Sequence, residues 1–284
     1  MLSIIYRAYP RISKQPAVEF QSKYEMLGFC LTSLKRALGK VPFEFIFVND
    51  GCDTEQTKLV QDIFGGVAYR YQMLDLGGVG NQASFAAQLE LVANTVFDKI
   101  LILEDDYYID QRDVLLNLYA LDDPSVDYTT FYYPADAEPN SGDMTKRIST
   151  AIKGHHIFGE ALPSTTLTFF SRKGTLAEDL QYFMSFSAGA HDSSLWLRLT
   201  GSFFWFIPKL VRPLFRKNLR LYLSIVKRYL LWMLRLPTRT RNLVFVGGGK
   251  TTHLDEDGVN NKFNVLYDIE SELEKFRATS NALR

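Results

Sequence analysis

The first hundred residues alternate short apolar runs with stretches of helical spacing, and this alternation restricts the chain more than any other feature. LSIIY (from Leu2), FEFIFV (43–48), AYRYQML (68–74) and KILIL (99–103) read as strands. Between them KYEMLGFCLTSLKRAL (23–38) spaces Met26, Phe29, Cys30 and Leu34 for a helix. TEQTKLVQDIF, capped by Asp53 or Thr54, and NQASFAAQLELVANTVF (81–97) read as two more. Strand and helix in this order predict a parallel sheet covered by helices. Ligands of such sheets gather beyond the carboxyl ends of the strands. Three of those ends are polar here: Arg7 to Pro10, Asn49 to Asp53, and Glu104 to Asp106.

The second half is less regular. DYTTFYY (127–133) and STTLTFFS (164–171) read as strands, and a long polar loop, 134–162, is expected between them. AGAHDSSLWLRL (188–199), a basic aromatic segment (203–236), LVFVGGGKTTHLDEDG and a polar tail complete the chain.

With 284 residues, 46% of them hydrophobic, the chain can bury a sizeable core. A formal net charge of zero argues against a nucleic acid partner. Cys30 and Cys52 alone give neither a disulfide framework nor a cysteine-built zinc site, and they fit a reducing compartment. MLSIIYRAYP runs straight into a strand without the pattern of a signal peptide, so a cytoplasmic location is expected. No uncharged apolar run approaches the roughly 20 residues that span a bilayer; Lys227 and Arg228 interrupt the best candidate.

LILEDDYYI (101–109) sets three consecutive acids at the end of a buried strand. Like charges there repel and resist desolvation unless a cation or polar network compensates them. Glu104 and Asp106, two apart on an extended backbone, can face one site. They suit an oxygen-ligated Mn²⁺ or Mg²⁺ that also holds a diphosphate, or one binds metal while the other supports it. Asp105 is expected to point the other way. The alternative reading of Asp50 in N-D-G is a turn residue, and that of Asp192 the cap of the helix it precedes. GGGKTTH lacks the first glycine of a Walker loop, since Val244 stands there. His155 and His156 read as surface residues or acceptor contacts.

Taken together, LSIIYRAYP, FIFVNDGCDTEQT, the glycine turn before NQASF, and ILILEDDYYI resemble the nucleotide-binding half of GT-A glycosyltransferases. The V-N-D-G-x-D stretch is like family 2, and E-D-D with DPSVDY is closer to the N-acetylglucosaminyltransferase I type. The resemblance covers roughly residues 1–135 well and 164–200 weakly. It implies a mixed α/β sheet of GT-A type with a Rossmann-like half. Residues 1–200 would form the catalytic domain (1–110 nucleotide-sugar half, 111–200 acceptor half), 201–241 a basic amphipathic helical segment, and 242–284 a loop and tail completing the site. By the same resemblance Arg7, Ala8, Tyr9, Asp50, Asn81, Asp105 and Lys250 border the nucleotide. Asp106 ligates the metal with Glu104 and His253 as candidates beside it, and Asp192 is the general base of an inverting transfer. The implied donor is a nucleoside-diphosphate sugar and the acceptor a glycan or lipid-linked hydroxyl.

Between Asp192 and Asp255 there is no acid, while Lys and Arg recur from Arg198 to Lys250. At 100° per residue the bases of 209–235 share one face, opposite Leu214, Phe215, Tyr222, Ile225 and Trp232. Such a helix lies on an anionic membrane surface, here the inner face of the plasma membrane, or packs its apolar face on the domain. Two rivals to the transferase remain. One is an inactive nucleotide-binding scaffold recruited to a membrane; the other is a sugar nucleotidyltransferase, which would want glycines that RAYPRISKQ lacks.

Overall fold

The computed structural model describes residues 1–12, 18–131, 149–152, 155–160, 167–184, 241, 243–246, 251–254 and 269–282. Strands β1 (Leu2–Ala8), β2 (Phe43–Asn49), β3 (Arg70–Asp75) and β4 (Lys99–Glu104) alternate with helices α1 (Lys23–Leu38), α2 (Thr54–Phe64) and α3 (Asn81–Glu90). A two-residue strand β5 (Tyr107–Tyr108), α4 (Gln111–Ala120), β6 (Tyr128–Thr130), β7 (Ser149–Ile152), β8 (His155–Glu160), β9 (Phe169–Arg172) and α5 (Lys173–Met184) follow. The last described elements are β10 (Leu243–Val246), β11 (Thr252–His253) and α6 (Ile269–Ala282).

Nine of these strands form one sheet in the order β3-β2-β1-β4-β9-β6-β10-β8-β7. β3, β2, β1 and β4 are mutually parallel. β9 then runs antiparallel to both β4 and β6. This is the mixed α/β sheet expected from the sequence. The chain steps outward from β1 to β3 and returns on the other side as β4. The carboxyl ends of β1 and β4 therefore flank a topological switch point, where open α/β sheets form their crevice.

Strand alternation divides the core. Ile4, Tyr6, Phe45, Phe47, Leu101 and Leu103 pack with α1, α2 and α4, whereas Ile5, Ile46, Val48, Ile100 and Ile102 pack with α3 and α5. Because both faces are covered, β1, β2 and β4 read as continuous apolar runs rather than as alternating ones. Asp53 is the cap of α2, in a reciprocal capping box with Gln56. Ser22 caps α1 by accepting from the Glu25 amide.

Three expectations change. The 134–162 segment holds a hairpin, β7 paired antiparallel with β8, rather than loop alone. The third helix stops at Glu90 and continues as a 3-10 turn, Leu91–Asn94. The polar tail contains α6, whose few apolar residues, Ile269, Leu273 and Phe276, meet a third cluster with Phe20, Met26, Phe29, Tyr108 and Leu254. Its low apolar content hides it from a reading by periodicity. The hairpin and α6 both rely on long-range partners.

Ion pairs add to that docking. Arg277 donates to Glu25, and Glu272 takes hydrogen bonds from Lys275 and Tyr108. Arg277 holds the Glu25 carboxyl below its ordinary value, and Lys275 foremost does the same for Glu272. A depressed folded value means that the unfolded chain binds more protons, so this stability is present above about pH 4.5 and lost as pH falls through the folded values. Thermal unfolding of Glu25→Gln should therefore fall less steeply between about pH 5 and 3 than that of the parent. Parallel curves would contradict it.

Candidate active site

A cleft of about 360 Å³ opens at the carboxyl ends of β1, β2 and β4, lined by Arg7, Tyr9, Arg11, Lys23, Asp50, Gly80, Asn81, Ser84 and all three acids of 104–106. Alternation ends with β4 at Glu104, and the chain turns through Asp105 and Asp106. Asp105 thus shares the cleft with its neighbours instead of pointing away from them.

Each acid meets its own basic side chain. Arg7 Nη2 donates to Glu104 Oε1 at 2.5 Å, and its Nη1 donates to the Asn81 carbonyl and to Ser84 Oγ. Lys23 Nζ lies 2.8 Å from Asp105 Oδ2, which also accepts the Tyr9 amide at 2.8 Å. His253 Nε2 lies 3.1 Å from Asp106 Oδ2. Burial alone lowers the Lys23 value, but attraction and hydrogen bonding from Asp105 outweigh it and hold the ammonium above its ordinary range. Burial raises Asp105, and Asp106 repels it further. Burial also opposes the charge on Asp106, yet His253, and behind it Lys23, bring its value down. Of Asp105 and Asp106, the latter is consequently held more firmly as an anion.

Asp106 differs in a second respect: its Oδ1 is buried without a hydrogen-bond partner among the described residues. A buried carboxylate oxygen left in this state is costly unless something positive meets it. The 3.1 Å contact on the other oxygen likewise needs a proton on Nε2 or a cation in its place. The donor set, one carboxylate and one imidazole, fits Mn²⁺ or Mg²⁺, which commonly takes few protein ligands and completes its shell with phosphate and water. No group of three potential ligands occurs among the described residues. Glu104, paired with Arg7, lines the same cleft.

His253 reaches Asp106 across 147 positions because β11 pairs antiparallel with β5, setting His253 opposite Tyr107. The imidazole stacks on the Tyr107 ring with centroids 4.6 Å apart. The Leu254 amide donates to the Asp106 carbonyl at 2.7 Å. Upstream, Thr251 Oγ1 accepts the Asp110 amide, and the Thr251 amide donates to the buried Asp113 carboxylate.

On the other wall Asp50 is buried, and its Oδ1 accepts the Val79 and Gly80 amides at 2.6 and 3.2 Å. It therefore fastens the glycine turn after β3 to the end of β2. Gly51, at φ +90°, approaches Gly78 so closely that a Cβ would stand 3.1 Å from its Cα. Tyr9 is exposed at the lip of the cleft. Ala8 is buried and its carbonyl accepts the Asp50 amide, so it supports the cleft from behind rather than lining it. Asn81 lines the cleft at the start of α3. Asp192, Lys250 and the basic segment 203–236 lie outside the described residues.

Lys23 and Ser84 escape a reading of motifs. Lys23 does carry a signal, because a lysine at the first position of a helix opposes the macrodipole. Its partner, Asp105, is supplied by the tertiary fold.

No family model matches the chain, and neither does any curated protein. Among solved structures, S. aureus TarS 1-349 in complex with UDP-GlcNAc is 16% identical, over 69% of this chain and 52% of its own, with a TM-score of 0.43. A putative nucleotide-diphospho-sugar transferase from Desulfovibrio desulfuricans G20 is 11% identical over 68% and 71%, with a TM-score of 0.39. A cytidylyltransferase from Leptospira borgpetersenii is 15% identical over 62% of each chain, with a TM-score of 0.36. The chain spans about half the length of the TarS structures that it matches.

Two outcomes follow from the geometry. Lys23→Met strands Asp105 as a buried charge and should lower stability to urea by about 3–5 kcal/mol, with most of it restored in Lys23→Met/Asp105→Leu. Equal losses in the single and double variants would contradict the pairing. Gly51→Ala should cost about 1–3 kcal/mol through its positive φ and the Gly78 contact, whereas Gly66→Ala, with open space around it, should cost less than about 1.

Proposed function

We propose that this protein is an inverting, divalent-metal-dependent glycosyltransferase that moves a sugar from a nucleoside-diphosphate donor to an acceptor hydroxyl. One observation carries the reading. Asp106 and His253, remote in sequence, meet at 3.1 Å with a buried carboxylate oxygen that has no hydrogen-bond partner among the described residues, at the switch point of the sheet. Asp106 and His253 would hold the cation, which supplies positive charge to the departing diphosphate. The chain's own residues do the rest. Arg7 and Lys23, each fixed by an acid, offset the charges of Glu104 and Asp105 in the cleft and leave Asp106 to the cation. Asp50 sets the glycine turn and the start of α3 along one wall. In the transfer the acceptor oxygen attacks the anomeric carbon, the bond from that carbon to the diphosphate breaks, and the acceptor proton passes to a base. Asp192 is the residue proposed for it.

The acceptor is proposed to be a glycan or lipid-linked hydroxyl. Residues 203–236 are proposed to bring the enzyme to an anionic membrane surface on the cytoplasmic side, through a basic face opposite an apolar one. Among the described residues no helix is long and apolar enough to cross a membrane.

Donor cleavage tests the reading. Release of nucleoside diphosphate should require Mn²⁺ or Mg²⁺ across a panel of nucleotide sugars, and Asp106→Asn should lower kcat at least about 100-fold. Nucleotide binding without cleavage would favour the inactive scaffold. Pyrophosphate release from a nucleoside triphosphate and a sugar phosphate would favour the nucleotidyltransferase.

A further inference from the structure

His253 stands on a strand of two residues, which among the described residues pairs with the two residues of β5. A ribbon this short does not hold its register by itself. Its support comes from outside the cleft, on two sides. Upstream, Thr251 is pinned to the start of α4 through the Asp110 amide and the Asp113 carboxylate. Downstream, the Leu254 side chain is 0% exposed and buried in the cluster that α6 completes with Ile269 and Leu273.

The partner strand is held by the same helix. Tyr108 stacks on Phe29 with centroids 5.3 Å apart, and its hydroxyl donates to Glu272 Oε2 on α6 at 3.1 Å while accepting from Arg36. Phe276, also on α6, meets Phe29 edge-on at 5.7 Å. Both strands of the ribbon therefore lean on α6. Tyr107 of the one strand and His253 of the other stack on each other, and neither belongs to that cluster.

Resting on the cation reading above, we propose that α6 sets the cation site from behind, with Leu254, Leu273 and Tyr108 as positioning residues that hold His253 against Asp106. None of the three lines the cleft. A shift of the ribbon moves the imidazole but leaves Arg7 on β1, Lys23 on α1 and Asp50 just past the end of β2, so the loss should fall on the cation rather than on the whole cleft.

The test is Mn²⁺ binding to the full chain, followed by loss of the free-ion electron paramagnetic resonance signal, with folding checked by thermal unfolding. Leu273→Ala should weaken Mn²⁺ binding about tenfold, the scale seen when groups that orient a metal ligand are removed. Tyr108→Phe, which keeps the ring and loses only the hydroxyl, should shift it in the same direction by less. Val60→Ala, an equally buried position in α2 and a different cluster, should leave binding within about twofold. The proposal is overturned if Leu273→Ala folds and binds Mn²⁺ like the parent, or if Val60→Ala weakens binding as much. Should Leu273→Ala not fold, unchanged binding by Tyr108→Phe overturns it. His253→Ala separates the two levels: if that variant binds Mn²⁺ normally, the cation reading fails and takes this inference with it. If it binds weakly while Leu273→Ala does not, only the positioning role fails.

Discussion

Three carboxylates in succession at the end of a buried strand repel one another, and two unit charges 4 Å apart interact by roughly 4 kcal/mol at the effective dielectric of a protein surface. The chain tolerates them by giving each a different basic partner from a different element. Arg7 comes from β1, Lys23 from the start of α1, and His253 from β11. The arrangement is unequal, and the inequality matters. Arginine and lysine neutralise Glu104 and Asp105 permanently, whereas the imidazole beside Asp106 is a weak base with a lone pair of its own. One acid of the triplet is thereby left to a partner that a divalent metal could share.

Much of the fold serves to bring those partners together. The switch between β1 and β4 puts Arg7 beside Glu104 in parallel register. The Asp50 carboxylate fastens the glycine turn, and the turn leads into α3, whose first carbonyl receives Arg7. Arg241 secures the return of the chain to the sheet ahead of β10. It binds Asp179 through two hydrogen bonds and also reaches Asp127 and Glu178, so the buried Asp179 is compensated much as the triplet is.

The first four strands and their helices were legible in the sequence because each buries a continuous apolar run or one helical face. The three polar strand ends come together at one cleft, which Arg7, Tyr9, Asp50 and the acids of 104–106 line. What the sequence concealed has a common physical cause. Lys23, the β5–β11 ribbon and α6 acquire their roles from partners far away in sequence, and none of the three has a periodicity of its own strong enough to announce them. Asp105 departs from the expected alternation for a local reason: β4 ends at Glu104 and the next two residues form a turn.

Crystals soaked with a nucleoside diphosphate and Mn²⁺ test the central claim most directly, because anomalous scattering locates the ion without assuming its ligands. The account predicts the ion between Asp106 Oδ1 and the His253 imidazole, with the diphosphate on its open side. Glu104 should still be on Arg7 and Asp105 still on Lys23. An ion seated on Glu104 or Asp105, with Arg7 or Lys23 displaced, would contradict it.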